Sequence, residues 1–415
     1  MSVPVLLLEA AGPESLALAR TAAATNLTVH AVTDAATRAA YPDELRELLA
    51  GTLVTDFAQP ARARADITAY GRRIGARALL TVNEYLTDLT ARACADLGLP
   101  GNDPERAGAA RNKAVMAAAF EAAGVTSPRT MTVSSGDELQ ALLASGPVVF
   151  PCVVKPADGA GSSGVTVATN PEELQQAWRC ARAAEVMYGL ASDERVLVQD
   201  HIPGSEFSVE SITQAGHTTH LCITRKHTTN GRHRVELGHS LPARLPPAAE
   251  RGLLAQADRA IAAVGVRNGA THTELIITPG GRVTVIEVGA RLGAGHIGVL
   301  IQHALGIDPW RTLWDIALGG PVPAVPAPRG AATVRFLIAP HPGRLVSVAG
   351  LPEPSPTVPA VHVRAAVGAR VGPATSNRGR LGHVIVTGDH PRTVDDQAEQ
   401  LLKQITITVD EEEVP

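Results

Sequence analysis

The segment 151–167, PCVVKPADGAGSSGVTV, carries Lys155 at the end of an apolar run. It then breaks at Pro156 into a loop with three glycines and two serines within seven residues. Such a loop can fold its backbone N–H groups and hydroxyls around phosphate oxygens while the lysine neutralises charge. It is not a Walker A loop, because the lysine precedes the glycines and no Gly-Lys-Ser/Thr follows. A flexible hairpin would explain the glycines equally well, but not a lysine with two serines. A second segment, THTELIITPGGRVTVIEVGAR (271–291), places Glu274 and Glu287 on successive apolar strands around a Pro-Gly-Gly turn. In a hairpin centred near 280 the two carboxylates point to the same face. Unpaired carboxylates are costly to bury in such strands. Two of them on one face suit magnesium, which takes hard oxygen ligands and shares its shell with nucleotide phosphates. Arg291, four residues on, enters a glycine-rich turn from which it can reach an anion. The competing reading is a solvent-facing edge hairpin with an Arg–Glu surface pair.

Two weaker signals lie between them. RVLVQDHIPGSEFSVES (195–211) ends a buried strand in a polar segment, turns at Pro203-Gly204 and leaves as a strand with Glu206 and Glu210. A strand-end connection of this kind can hydrogen-bond an adenine edge, with a carboxylate on the ribose hydroxyls. In VELGHSLPARL (235–245), Glu236 and His239 stand three apart in what reads as a glycine-containing turn. A lone histidine is more often structural than a ligand contact.

Alternating elements must position these residues. In the first hundred, apolar runs at 3–10, 27–33 and 78–84 alternate with helical stretches, the last at 86–99, which implies a parallel sheet. A helix follows at 109–124. From 147 to 212 closely spaced strands are joined by glycine-rich turns around one helix at 171–190. Antiparallel-looking strands continue to 290, and a helix follows at 295–306. GGPVPAVPAP (319–328) is a proline-rich boundary. Beyond it come strands at 333–340, 343–350, 381–388 and 405–410, a helix at 393–404, and an acidic end, DEEEVP, that reads as a tail.

Composition excludes several classes. The 415 residues hold 37 basic and 41 acidic side chains, a net charge of −4. No basic field exists for nucleic acid or an anionic membrane. A 45% hydrophobic content excludes a disordered chain. Cys94, Cys152, Cys180 and Cys222 form no CxxC pair and read as reduced thiols of a cytoplasmic protein. The first residues read as a strand rather than a signal peptide, and no apolar run reaches the ~20 residues of a membrane span. Only four lysines (Lys113, Lys155, Lys226, Lys403) stand against 33 arginines. Where lysine persists, a compact point charge is favoured over a planar fork.

In this order and spacing, ARNK around Lys113, VVKPADGAGSSGV, ELGHSLPA and HTE…IEVGARLGAGH resemble the ATP-grasp superfamily over essentially the whole chain. The resemblance is strongest to carboxylate–amine ligases of the L-amino acid ligase, dipeptide-forming type. It implies an α/β (α+β) architecture with a preATP-grasp βα domain at 1–104 and an ATP-grasp domain at 105–320. That domain would have a mobile lid at about 125–205, and a C-terminal α/β lobe at 329–415 would complete it. It also implies ATP, with magnesium or manganese, and an acid–amino acid ligation through an acyl phosphate. By the same resemblance Lys113 and Lys155 hold phosphates under a loop containing Gly161, Ser162 and Ser163. Gln199 to Ile202 line the adenine, Glu206 takes the ribose, and Glu274 and Glu287 bind the metal. Arg291 steadies the acyl phosphate, and Glu236 with His239 lines the amino-acid pocket. There are departures: EVGAR stands where many members have Asn before Pro-Arg, leaving Gly289, and Gln199 stands where an acid is usual. Gly295 occupies a place where a bulky residue closes the pocket in relatives, so a roomier site that Gly295→Trp would narrow is expected. Transfer to a carrier protein and carboxylase-like chemistry are the alternative reactions. Dimerisation is common in the branch, and the substrates expected are small carboxylates and amines, with no nucleic acid and no membrane.

Overall fold

A computed structural model describes residues 2–410; the expected acidic tail lies, from 411, outside the described residues. Strands β1 (Val3–Leu8), β2 (Leu27–Thr33), β3 (Gly51–Val54) and β4 (Ala78–Leu80) form a parallel sheet in the order β3-β2-β1-β4. Residues 5–8 of β1 are all buried, as expected of a parallel strand covered on both faces. The sequence reading found neither β3 nor the helix Pro60–Ile74. The strand is four residues long and mostly half-buried, and the arginine-rich helix buries only a narrow stripe led by Ala63 and Ile67.

The helix expected from 109 begins at Lys113. Asn112 sets that start, because its Oδ1 accepts from the backbone N–H groups of Ala114 (3.0 Å) and Val115 (3.1 Å). Next, β5 (Thr130–Val133), β6 (Cys152–Pro156), β7 (Thr166–Ala168) and β8 (Val196–Asp200) make an antiparallel sheet in the order β5-β8-β6-β7. It packs on the helices Gly136–Ser145 and Pro171–Arg182 through Val133, Leu139, Val154, Leu174 and Val198.

The remaining strands are β9 (Ser205–Gln214), β10 (His217–Thr228), β11 (Glu236–Leu241), β12 (Gly269–Ile277), β13 (Val283–Gly289), β14 (Ala331–Ile338), β15 (Gly343–Ala349), β16 (Ala360–Val363), β17 (Arg370–Val371), β18 (Arg380–Gly388) and β19 (Thr406–Asp410). Eight of these form one sheet, β13-β12-β9-β10-β11-β14-β18-β16, and β17-β15-β19 form a small one. Strands on both sides of the proline-rich 319–328 stretch thus pair directly, β11 with β14. Side-chain alternation splits the large sheet into two faces. Phe207, Val209, Leu275 and Val285 pack against the helix Pro247–Ala263, while Glu206, Ser208 and Glu210 point the other way.

The parallel sheet is joined to the large one by a shared core. Leu18, Ile212, Leu300, Trp314 and Val334 belong to one apolar cluster, and the Trp314 Nε1–H donates to the Leu18 carbonyl at 3.0 Å. Trp314→Ala should cost about 3–5 kcal/mol of stability. Chemical denaturation would measure it, and a change under about 1 kcal/mol would show that this seam does not hold the two sheets together.

Candidate active site

The polar face of the large sheet gathers titratable groups by register. Glu274 pairs directly with Glu287 across β12 and β13, and His272 pairs with Glu210 across β12 and β9. Glu236 and His239 lie on a strand, β11, and not in the turn that the sequence suggested. Three residues apart on a regular strand, they would face opposite ways. The pairing of β10 with β11 moves from His227↔Gly238 to Thr228↔Glu236, so Leu237 is an extra, bulged residue. That bulge returns Glu236 and His239 to one face. A second bulge leaves Ile286 as the extra residue beside Glu287.

Lys226 of β10 stands at the centre. Its Nζ lies 2.6 Å from Glu274, 3.0 Å from Glu206 and 3.1 Å from Glu236. Burial opposes its charge, yet the three carboxylates hold its pKa well above that of an ordinary lysine. Burial likewise works against ionised Glu274 and Glu236, and Lys226 outweighs it, holding both well below the usual carboxylate range. His272 bridges Glu210 (2.9 Å) and Glu274 (3.3 Å); against burial, Glu210 raises it to about 10. Sequence reasoning gave Lys226 no role, although it was one of only four lysines, and that rarity was the available signal.

The second group surrounds the glycine loop. Lys113 Nζ donates to the Gly159 carbonyl at 2.7 Å and pairs with Glu287 at 2.9 Å. Lys155 reaches the same place from β6, and burial, aided by neighbouring Lys113, lowers it to about 8. Ser162 takes a left-handed φ of 60° next to Gly161, and the Gly161 carbonyl accepts from the backbone N–H of Asn377 at 3.1 Å. Arg291 is ion-paired at 2.5 Å with Glu84, which follows β4, so the N-terminal sheet also reaches the site.

One cavity of about 420 Å³ is lined by Lys113, Lys155, Gly161, Ser162, Ser163, Gln199, Ile202, Glu206, Glu236, His239, Glu274, Glu287 and Arg291. Val82, Tyr85, Met187, Asn377 and Arg380 also line it, and none of these was anticipated. Gln199 is already engaged, its Nε2–H donating to Thr130 Oγ1 at 2.7 Å. Gly295 departs from expectation by standing behind the wall instead of lining it. It has a φ of +69°, and a Cβ there would lie 2.7 Å from His239 Nε2. The His239 ring does line the cavity; neither of its nitrogens has a hydrogen-bond partner among the described residues, and Nε2 lies 3.5 Å from Glu236.

Two outcomes follow. Lys226→Met strands three carboxylates and should cost about 3–5 kcal/mol at pH 7. In the wild type Glu274 and Glu236 are held low, so their contribution is present above the ordinary carboxylate range and is lost as pH falls through the depressed values. Without Lys226, burial is unopposed and the folded carboxylates bind protons more readily. The deficit in urea unfolding should therefore narrow from pH 7 to pH 5, and a constant deficit would contradict the network. Gly295→Trp should displace His239 and lose about 1–2 kcal/mol through the left-handed backbone alone. An unchanged melting midpoint with narrowed substrate choice would instead restore Gly295 as a pocket wall.

Comparison with known proteins agrees with this layout. Family models match an ATP-grasp N-terminal domain at residues 21–101, an ATP-grasp domain at 148–299 and L-amino acid ligase C-terminal domain 2 at 335–410. The chain is 32% identical over 210 residues to Dapdiamide A synthase of Enterobacter agglomerans, covering 49% of this chain and 48% of that one. It thus spans about half the length of that relative. It is 30% identical over 229 residues to a D-alanine--D-alanine ligase of Gloeobacter violaceus, covering 51% of this chain and 70% of that one. The fold matches the crystal structure of L-amino acid ligase from Bacillus licheniformis with a TM-score of 0.81 at 20% identity, over 99% of both chains. The chain belongs to the ATP-grasp superfamily and carries a C-terminal domain of the L-amino acid ligase type.

Proposed function

We propose that the protein is an ATP-dependent carboxylate–amine ligase that joins an amino acid to a second amino acid, releasing ADP and phosphate. The observation that carries this reading is the convergence, on one cavity, of the Lys113–Lys155–glycine-loop group with the Glu274–Glu287 pair and the Glu236–His239 pair. Its support lies also in the names of the relatives, which are themselves synthases and ligases.

The residues fit a magnesium nucleotide. Glu274 and Glu287 supply hard oxygens from adjacent register positions. Among the described residues no group of three His, Cys, Asp or Glu is arranged to hold a metal ion by itself. A bound ion would therefore complete its shell from phosphate oxygens and water, as magnesium commonly does beside nucleotides. It would supply charge neutralisation at the phosphates. Lys113 and Lys155 hold the phosphates, Gly161 to Ser163 cover them, and Gln199 to Ile202 with Glu206 bind the nucleoside. A donor carboxylate oxygen attacks the γ-phosphorus and the bond to the ADP oxygen breaks. The acceptor amine nitrogen then attacks the acyl carbon, phosphate leaves, and the amine gives up a proton. Arg291 faces the charge developing at that carbon, fixed by Glu84 before the reaction begins. Enclosure by the glycine loop keeps water from the acyl phosphate. The lid corresponds to about 125–205, between the 1–104 domain and the rest of 105–320, with 329–415 closing the far end. The reaction we propose belongs in the cytoplasm, where ATP is supplied; no helix among the described residues is long and apolar enough to cross a membrane.

The direct test incubates the purified protein with Mg-ATP and single amino acids, then with pairs, following ADP and product mass, with Glu287→Ala as the blank. ADP that requires two amino acids, with a product mass equal to their sum less water, is expected. ATP binding without turnover on any pair would overturn the free-amino-acid reading. Lys155 gives an independent check. Its depressed pKa of about 8 should rise beside a polyphosphate. Calorimetry of a non-hydrolysable ATP analogue at pH 8, in two buffers of unlike ionisation enthalpy, should show uptake of roughly half a proton. Lys155→Gln should abolish that uptake, and tight binding with no proton uptake in the wild type would remove Lys155 from the phosphates.

A further inference from the structure

Arg380 lines the cavity and is used by neither the sequence reading nor the proposed reaction. It opens β18, directly after the short turn Asn377–Gly379. Its placement is fixed from three sides. The Nε–H donates to the Asn377 carbonyl at 2.9 Å, and Arg364 holds the Arg380 carbonyl at 2.7 Å. The guanidinium carbon lies 3.8 Å above the Phe336 ring, so one face is stacked. The Nη2 makes no hydrogen bond within the described residues. Its sole carboxylate contact among the described residues is Glu236, at 3.5 Å from Nη1. Glu236 is already satisfied by Lys226 at 3.1 Å and by the Asn377 amide at 2.9 Å. Burial lowers the Arg380 pKa despite Glu236, which marks a cation whose charge its surroundings do not fully meet.

Arg291 and Arg380 face different anions of the cavity, while Arg234 lies 3.8 Å from Glu206. Arg291 is surrounded by Glu84, Glu287 and Glu274, on the side proposed for phosphoryl transfer. Arg380 feels Glu236 and, more distantly, Glu14. A dipeptide being formed has two carboxyl-derived groups one residue apart: the carbon under attack and the free carboxylate of the acceptor. A stacked, anchored guanidinium with an open edge suits the planar carboxylate.

We propose that Arg380 binds the free carboxylate of the amino acid that supplies the amine, so that the acceptor is an α-amino acid and not a simple amine or a carrier-bound group. This rests on the ligase reading above and names the side chain that would select its acceptor. The test uses any amino-acid pair that yields ADP and a mass-verified amide. It compares kcat/KM for the acceptor as free acid, as primary amide and as decarboxylated amine. Wild type should favour the free acid by about 30-fold or more. Arg380→Gln should bring the ratio within about threefold, and Arg380→Lys should restore part of the preference by returning a point charge. Melting curves check both variants; if the Gln variant does not fold, the Lys variant and the wild-type series decide. A wild type indifferent to the carboxylate overturns the assignment alone, as does a folded Arg380→Gln that keeps the full preference. Absence of ADP with every pair removes the ligase reading and this assignment with it.

Discussion

A buried lysine among three carboxylates sets the terms for the rest of the site. The sheet must bring Glu206, Glu236 and Glu274 to one face, and apolar strands cannot carry three ionised groups there unpaired. Lys226 meets that constraint with one compact, rotatable charge within 3.1 Å of all three. A guanidinium is planar and directs its donors into fixed forks, so it would not serve three carboxylates arriving from three strands as readily. This gives a physical reason for lysine to survive at 226 in a chain with 33 arginines. His272 extends the alternation of charge by linking Glu274 to the fully buried Glu210.

The backbone device beneath this network is the β-bulge. A regular sheet would have placed Glu236 and His239 on opposite faces. The extra residue Leu237 reverses the alternation between them, and Ile286 does the same next to Glu287. Each bulge gives up ladder pairing locally and gains a side chain aimed into the cavity. The opposite face keeps its regular alternation, because Phe207, Val209 and Leu275 must stay in register with the helix Pro247–Ala263. The two faces therefore carry different demands, packing on one and convergence on the other.

These observations explain what could be read from the sequence. Glu274 and Glu287 were legible because a tight hairpin converts spacing into register. Lys155 was legible because strand, proline and glycines stand in line. The bulge at Leu237 has no sequence signature, so Glu236 and His239 were assigned to a turn although both line the one cavity. Asn377 and Arg380 were invisible for another reason, since they meet Glu236 across more than 140 residues of chain and no local pattern marks them. Gly295 has a conformational part that its residue type does not announce. It lets the chain pass behind His239 with a positive φ, and residue type alone does not separate that from an open pocket wall.

The C-terminal segment around Asn377 ties the cavity's two ends together. Its backbone N–H holds the Gly161 carbonyl in the loop over the lysines, and its side chain both donates to and accepts from Glu236. Arg378 beside it reaches Glu185 and the Met187 sulfur. The adjoining Tyr188 packs edge-on against Phe57 and Tyr85 of the N-terminal sheet region and accepts from the Asn83 amide at 2.6 Å. Around Asn377 the glycine loop, the Tyr188 segment and the C-terminal strands thus meet through single hydrogen bonds and ring edges, contacts weak enough to part and re-form. Opening the loop must release Asn377, and releasing Asn377 loosens Glu236 and the carbonyl that anchors Arg380. Under the proposed reaction, the phosphate cover and the amino-acid end assemble in one motion, which delays acyl transfer chemistry until water is excluded and the acceptor's anchor is in place.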